Sequence, residues 1–373
     1  VKDDQQMQIV LKEDAQQLQE VVVVGYGTAK KVNLVGAVDQ IDSKQIAERG
    51  NSNISRSLQG LVPGLNITFS DGKPSRTPSI NLRGTGSIGA GGSALVLING
   101  VEGDLNSVNP ADVESVSVLK DASSAAIYGA RGAFGVILVT TKNATAGKTK
   151  INYNGSFSIH QRTVKTEDGI VSNGLQWTDG WYTAYLEGQE APPGGINNVF
   201  KYSTDWYNEL VRRDADPSLD KVRVNDKGEY EYFGNTNWLD IIYKDQNYST
   251  EHNVSISGGN ERARYYVSGR YYNQDGIYNA GDEKYTQYNI RSKGEIQINK
   301  SLLLENNTDV MIFRSHQPMV MYDRQNITRQ AQHQGYPVTM EKNPDGTWTE
   351  AAVYIGWAGF VEGTSWQKDN KLD

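Results

Sequence analysis

Cysteine is absent from this chain of 373 residues. Its absence removes disulfide staples, thiolate metal sites and cysteine nucleophiles together. Histidine is scarce as well: His160, His252, His316 and His333 are scattered, without H-E-x-x-H or any other metal-holding spacing. No G-x-S-x-G turn presents a serine, and carboxylates nominate no acid and base pair without geometry. No metal, no cofactor and no enzymatic activity are therefore expected. The net charge of −7 and pI near 5.3 lack the basic excess of a phosphate-binding surface, so nucleic acid is not an expected partner. No run approaches the roughly 18 consecutive apolar residues of a membrane helix. Strands that cross a membrane escape that criterion, because only alternate residues face lipid.

What the chain does have is glycine, at 38 residues, and tyrosine, which outnumbers phenylalanine by 21 to 7. With a negative mean hydropathy, this is the composition of a β protein with a wet interior. Four β-branched runs bounded by Gly, Asn and Pro read as strands: Ser79 to Arg83, Ala94 to Asn99, Val113 to Leu119 and Val136 to Thr141. Asp121 to Gly129, acidic at its start and glycine at its end, reads as a short capped helix. Upstream, Val32 to Ile41 is strand-like and Ser43 opens a helix. Ile54, Leu58 and Leu61 share one helical face, capped by Ser52 or Asn53 and stopped at Pro63 and Gly64. Together these segments make a small mixed α/β body of about a hundred residues.

Two stretches invite competing readings. Glu20-Val-Val-Val-Val-Gly-Tyr-Gly27 suits a buried strand, yet its polar flanks suit a detachable segment. Gly84 to Gly89 matches G-x-G-x-x-G after a strand, but no helix follows to supply the phosphate-binding N-terminus. Those glycines are expected to serve loop bending instead.

From Lys148 the pattern becomes plain alternation. Ile151, Tyr153, Phe157 and Ile159 share one parity and Asn152, Asn154, Ser156 and Ser158 the other. Comparable pieces are Val254 to Ser257, Tyr265 to Tyr272, Tyr288 to Ile298 and Leu302 to Phe313. In the run ending at Ile298, Tyr288, Ile290, Ile296 and Ile298 are expected outside. Gln287, Asn289, Arg291, Lys293, Glu295 and Gln297 then line the inside, a row suited to water. Short turns at 258–263 and 299–301 alternate with long connections at 161–248, at 273–284 and after Arg314. Sorting by length in this way is the mark of an outer-membrane barrel.

Leu82-Arg83-Gly84, Val96 to Gly100, Val113 to Asp121, Ala126 to Ala130 and Gly135 to Thr141 resemble the plug of TonB-dependent outer-membrane transporters. The run VLKDASSAAIYGARGAFGVILVTTK is similar to the SusC/RagA branch. This resemblance implies a mixed α/β plug followed by antiparallel transmembrane β-barrel strands, with the barrel incomplete in this chain. It divides the chain into the tail of an N-terminal extension (1–19), a TonB box (20–27), the plug (28–147) and the first part of a barrel with long extracellular loops (148–373). Glu20, Val21, Val22, Val23, Val24, Gly25 and Tyr26 would be the box, an extended peptide that adds a strand to TonB in the periplasm. Arg83 would pair with carboxylates of the barrel wall. Ser87, Trp177, Trp181 and Trp206 would contact substrate, and Asn237-Trp-Leu-Asp240 partly matches an acidic-Trp-x-acidic motif of the family.

The implied function is import of a glycan or oligopeptide through the outer membrane of a Gram-negative, Bacteroidetes-like bacterium. The implied partners are TonB, a SusD-like surface lipoprotein, lipid and lipopolysaccharide. Siderophore or cobalamin uptake, and a secreted β-rich binding or adhesion module, are the alternatives. Five candidate strands cannot close a barrel that by resemblance needs about 22. Open edges in lipid would cost several kcal/mol per unpaired group, more in sum than a typical stability of about 5 to 15 kcal/mol. With Val1 in place of an initiator Met, the expectation is a processed or truncated start and an N-terminal portion of a longer protein.

Overall fold

The computed structural model describes residues 21–24, 27–30, 38–69, 75–82, 93–121, 125–163, 165–196, 200, 202–319 and 327–371, with the backbone course alone for 21–24, 27–30 and 366–371. These form two compact units, Val1–Phe69 with Thr77–Asn143, and Ser70–Arg76 with Ala144–Asp373.

The first unit begins with an antiparallel pair, β1 (Val21–Val24) and β2 (Gly27–Lys30). The chain then runs through β3 (Val38–Asp42), helices α1 (Ser43–Glu48) and α2 (Ile54–Leu58), and the paired strands β4 (Leu65–Thr68) and β5 (Ser79–Leu82). After these come β6 (Leu95–Ile98), β7 (Val101–Glu102), β8 (Val113–Leu119) and β9 (Val136–Thr141). A five-stranded sheet has the order β3-β8-β9-β6-β7, and its β6–β9 pairing is parallel. Both helices start on side-chain caps: Asp42 accepts from the Gln45 N–H at 2.8 Å, and Asn53 from the Ser55 N–H at 2.8 Å.

Strands β8 and β9 lie inside the sheet and bury both faces. Val116, Val118, Ile137 and Val139 pack with Ile46, Ile54 and Leu58 on one side, while Leu119, Val136 and Leu138 pack with Leu97 and Ala125 on the other. The continuous apolar run Val136–Val139 is what a doubly covered strand requires, and β8 adds a buried Ser117 between Val116 and Val118. The β6–β7 turn uses left-handed backbone at Asn99 (φ 50°) and Gly100 (φ 87°), the geometry that suits a tight hairpin. Asn99 also accepts from the Thr141 N–H at 3.0 Å, tying that turn to β9.

One expectation is corrected here. The segment after Asp121 is not one capped α-helix: Ala126–Gly132 is 3-10 turn, broken at Gly129 with φ 61° and ψ −149°. That backbone conformation is open to glycine almost alone, and Gly129 ends the first helical piece, as its place in the sequence predicts; what differs from the expectation is that this piece is 3-10.

The second unit is built on β10 (Gly147–Gln161), followed by helices α3 (Gly174–Leu186) and α4 (Thr204–Ala215), the hairpin β11 (Val222–Val224) and β12 (Tyr230–Tyr232), and α5 (Trp238–Ile242). Strands β13 (Gln246–Gly259), β14 (Ala263–Asp275), β15 (Lys284–Asn299) and β16 (Leu302–Met319) come next, then α6 (Ile327–Gln334), α7 (Glu350–Tyr354), α8 (Trp357–Glu362) and β17 (Trp366–Lys371). The five long strands and the short β17 form one antiparallel sheet in the order β10-β13-β14-β15-β16-β17. Turns at 260–262 and 300–301 join strands at one end, and the long connections lie at the other. Asn260 closes the first turn by accepting from the N–H groups of Arg262 at 2.8 Å and Ala263 at 2.9 Å. Strand β17 was not expected, because Trp-Gln-Lys-Asp-Asn-Lys carries no apolar alternation.

Ile137 is fully buried in the first unit's sheet. Ile137→Ala is expected to cost about 2 to 5 kcal/mol, read as earlier loss of amide-exchange protection in β8 and β9 with urea. Val101→Ala, at a residue 71% exposed, should stay within about 0.5 kcal/mol of wild type.

Candidate functional site

The sheet of the second unit is inverted relative to a protein that folds in water. Along β15, Tyr288, Ile290, Ile296 and Ile298 are 40 to 58% exposed, whereas Gln287, Asn289 and Arg291 are 2 to 4% exposed. The same parity runs across the register: Tyr153 faces Val254, and Gly269, Ile290 and Val310 continue that row. On the opposite face Arg270 holds Glu251 through two hydrogen bonds of 3.0 and 3.1 Å, and Arg291 pairs with Asp309. Arg270, Ser268, Gln287, Asn289 and Arg291 are all buried. Charged groups on the buried side are matched by bidentate and cross-strand pairing, while the apolar side chains are left outside.

The apolar band also drifts through the register. On β10 its lower end is Ile151, and the row through Ile151 runs by Ile256, Val267 and Ser292 to Thr308. On β16 exposed apolar side chains continue to Leu302, six residues beyond Thr308. Six residues at about 3.3 Å, across four strand spacings of about 4.8 Å, give a slope of about 45°. Transmembrane barrel strands are inclined by about 35 to 45°, so the band is level when the strands are tilted as in a bilayer.

Above the wall, the long connections fold into two apolar cores. Trp238, Ile242, Tyr278, Ile327, Ala352, Ile355, Trp357 and Phe360 form one, and Ile196, Trp206, Leu210, Phe233 and Val338 the other. The base of the longest loop is clasped by Arg162, just past β10, which donates to Asp240 at 2.9 Å and to Asp245 at 2.5 Å. Asn237 caps α5 and donates to Asp240 at 2.8 Å and to Thr166 at 2.9 Å. An acid at position 237 could not make those donations, which gives the partial Asn-Trp-Leu-Asp match a local reason.

The three tryptophans expected at substrate occupy different settings. Trp206 is 3% exposed, stacked on Tyr202 at 3.9 Å and on Phe233 at 5.7 Å, and it donates to the Tyr232 carbonyl at 3.2 Å. It is a core residue with no face left for a ligand, a correction to the expected role. Trp177 is half-buried against Phe200 and Tyr336, and Trp181 stands 48% exposed at the edge of the same cluster. Burial first, and then neighbouring Tyr336, push the Tyr202 phenol up to about 12. Tyr207 is likewise pushed up to about 12, chiefly by its hydrogen bond to Asp179 at 2.7 Å. Phe200, Tyr202, Phe233 and Tyr336 join this cluster from segments whose proximity no local spacing signals.

Comparison with known proteins fits both units. The family described as the TonB-dependent Receptor Plug Domain matches residues 30–136. The TonB-dependent receptor SusC of Bacteroides thetaiotaomicron is 33% identical over 283 residues, which are 73% of this chain and 24% of that protein. A TonB-dependent receptor of Formosa agariphila is 31% identical over 294 residues, 78% of this chain and 24% of its own length. Among solved structures, the RagAB peptide importer in its open-open state aligns with a TM-score of 0.58 and 29% identity, over 80% of this chain and 32% of that one. The chain belongs to the SusC/RagA-type TonB-dependent transporters. It spans about a quarter of the length of the curated relatives it matches.

The remaining residues expected to carry function lie in the N-terminal segment and in the loop after β5. Val21–Val24 is a strand, as its composition implies, but it is paired with Gly27–Lys30 and not a lone extended peptide. Glu20, Gly25, Tyr26, Arg83, Ser87 and the glycines from Gly84 to Gly89 lie outside the described residues. Among the described residues no cluster of His, Asp and Glu is arranged to hold a metal ion.

The two settings of tryptophan separate by measurement. Trp206→Ala is expected to cost about 3 to 5 kcal/mol in the stability of the loop core, seen as a lowered Tm and rapid amide exchange in α4. Trp181→Ala should leave that exchange within about twofold of wild type.

Proposed function

We propose that this chain supplies the plug and the first wall strands of an importer that carries a glycan or oligopeptide across the bacterial outer membrane. The inverted sheet carries this reading: an apolar outer face against lipid and a polar, ion-paired inner face suit a wall around a wet passage. A secreted adhesion module would place those faces the other way. Similarity to SusC and to the RagAB peptide importer supports nutrient import over siderophore or cobalamin uptake. In this reading a SusD-like lipoprotein closes over the loops, Trp181 and Trp177 offer aromatic faces to the cargo, and lipid and lipopolysaccharide contact the outer wall. Ser87 serves as a further cargo contact, and Arg83 holds the plug against wall carboxylates.

TonB supplies the pull through the segment Glu20 to Tyr26. A run of four valines has the β propensity that strand addition needs, and every backbone group it presents is recognised without regard to side chain. Energy arriving through a peptide strand needs no nucleotide site in the transporter itself. Deleting Glu20 to Gly27 from the full-length transporter is expected to abolish growth on the imported nutrient while outer-membrane protein levels stay unchanged. Uptake that persists in that deletion would remove the coupling role from this segment.

A further inference from the structure

The strand assigned to energy coupling is already paired. Val21, Val22, Val23 and Val24 stand opposite Lys30, Ala29, Thr28 and Gly27 in an antiparallel hairpin. Consecutive residues of a strand direct their backbone N–H and C=O groups to opposite edges, so β2 occupies one full edge of β1. We propose that β2 is a built-in competitor for the TonB-binding edge, and that partner binding proceeds by exchange of β2 for the incoming strand. The proposal rests on the coupling reading of Glu20 to Tyr26 and adds to it a regulatory element at Gly27–Lys30.

The two strands are unequal partners. Four β-branched valines face Gly-Thr-Ala-Lys, in which Gly, Ala and Lys are all depleted in strands. Two-stranded hairpins are marginal even with good strand formers on both sides. The pairing thus covers one edge of the valine strand while staying weak enough to yield to a longer or better strand. A partner that needs the open form sees its affinity reduced by the fraction of hairpin that is open. If that fraction lies at about 0.1 to 0.3, removing the competitor tightens binding by about 3- to 10-fold.

The test uses the full-length transporter in detergent and the periplasmic domain of TonB, with Kd measured by titration. Thr28→Pro and Ala29→Pro are adjacent in β2, so one of them removes an N–H directed at β1, and neither lies in the valine strand. At least one of the two is expected to lower Kd by about 3- to 10-fold. Unchanged or weaker binding in both, alongside loss of binding in Val22→Pro, overturns the competitor and leaves the coupling reading intact. Wild-type affinity in Val22→Pro overturns the coupling reading and the competitor with it.

A reversible version uses the absence of cysteine from this chain. Val22→Cys with Ala29→Cys, and Val23→Cys with Thr28→Cys, place thiols on directly opposed residues. Oxidation that locks either hairpin should weaken TonB binding at least tenfold, and reduction of the same sample should restore it. Equal affinity of the oxidised and reduced forms, with the disulfide verified by mass, contradicts the exchange.

Discussion

A backbone that crosses hydrocarbon must satisfy its own N–H and C=O groups, since no water is there to do so. In this chain that constraint is met by strands of 13 to 18 residues, β13 to β16, whose ladders run nearly their full length. Once the ladder is fixed, each side chain has only two directions, and solvent decides which kind goes where. Apolar residues take the exposed side at Ile290, Val310 and Val254, and polar ones take the buried side at Gln287, Asn289 and Arg291. The buried guanidiniums of Arg270 and Arg291 are paired with Glu251 and Asp309 on neighbouring strands. Removing either acid would take a charge partner from a buried guanidinium, which costs more than the pair contributes.

The other features follow from where the ladder ends. Turns at 260–262 and 300–301 need only two or three residues, and Asn260 and Asn299 close them locally. At the opposite end the connections are free to grow, and they grow until they bury cores of their own around Trp206 and Trp238. Arg162 and Asp245 stitch the base of the longest loop at the point where β10 and β13 stop pairing. The first unit obeys a different rule: its central strands β8 and β9 bury both faces, and in β9 the sequence shows an unbroken apolar run, Val136–Val139, in place of alternation.

Much of this was legible beforehand, for physical reasons that differ by element. The plug strands from Ser79 to Thr141 were found because β-branched runs between Gly and Pro depend on local sequence alone. The in-and-out assignment of Tyr288 to Ile298 was legible because a period of two needs no knowledge of the neighbours. Strand β17 escaped, since Trp366 to Lys371 is polar on both parities and is a strand only because β16 pairs with it. Gly129 was legible as a helix end because glycine signals a break locally, whereas the tightening of that helix to 3-10 was not. Trp206 and Trp181 looked equivalent in sequence, and only tertiary packing sends one into the loop core and leaves the other outside.

The whole account depends on the wall having lipid on one side and water on the other. Single cysteines introduced along β15 of the full-length transporter in lipid vesicles, each carrying a nitroxide, report this directly through collision with oxygen or with a polar nickel complex. The account predicts a period of two: positions 288, 290, 296 and 298 favour oxygen, while 287, 289 and 291 do not. Uniform accessibility along the strand, or the opposite parity facing oxygen, would contradict it.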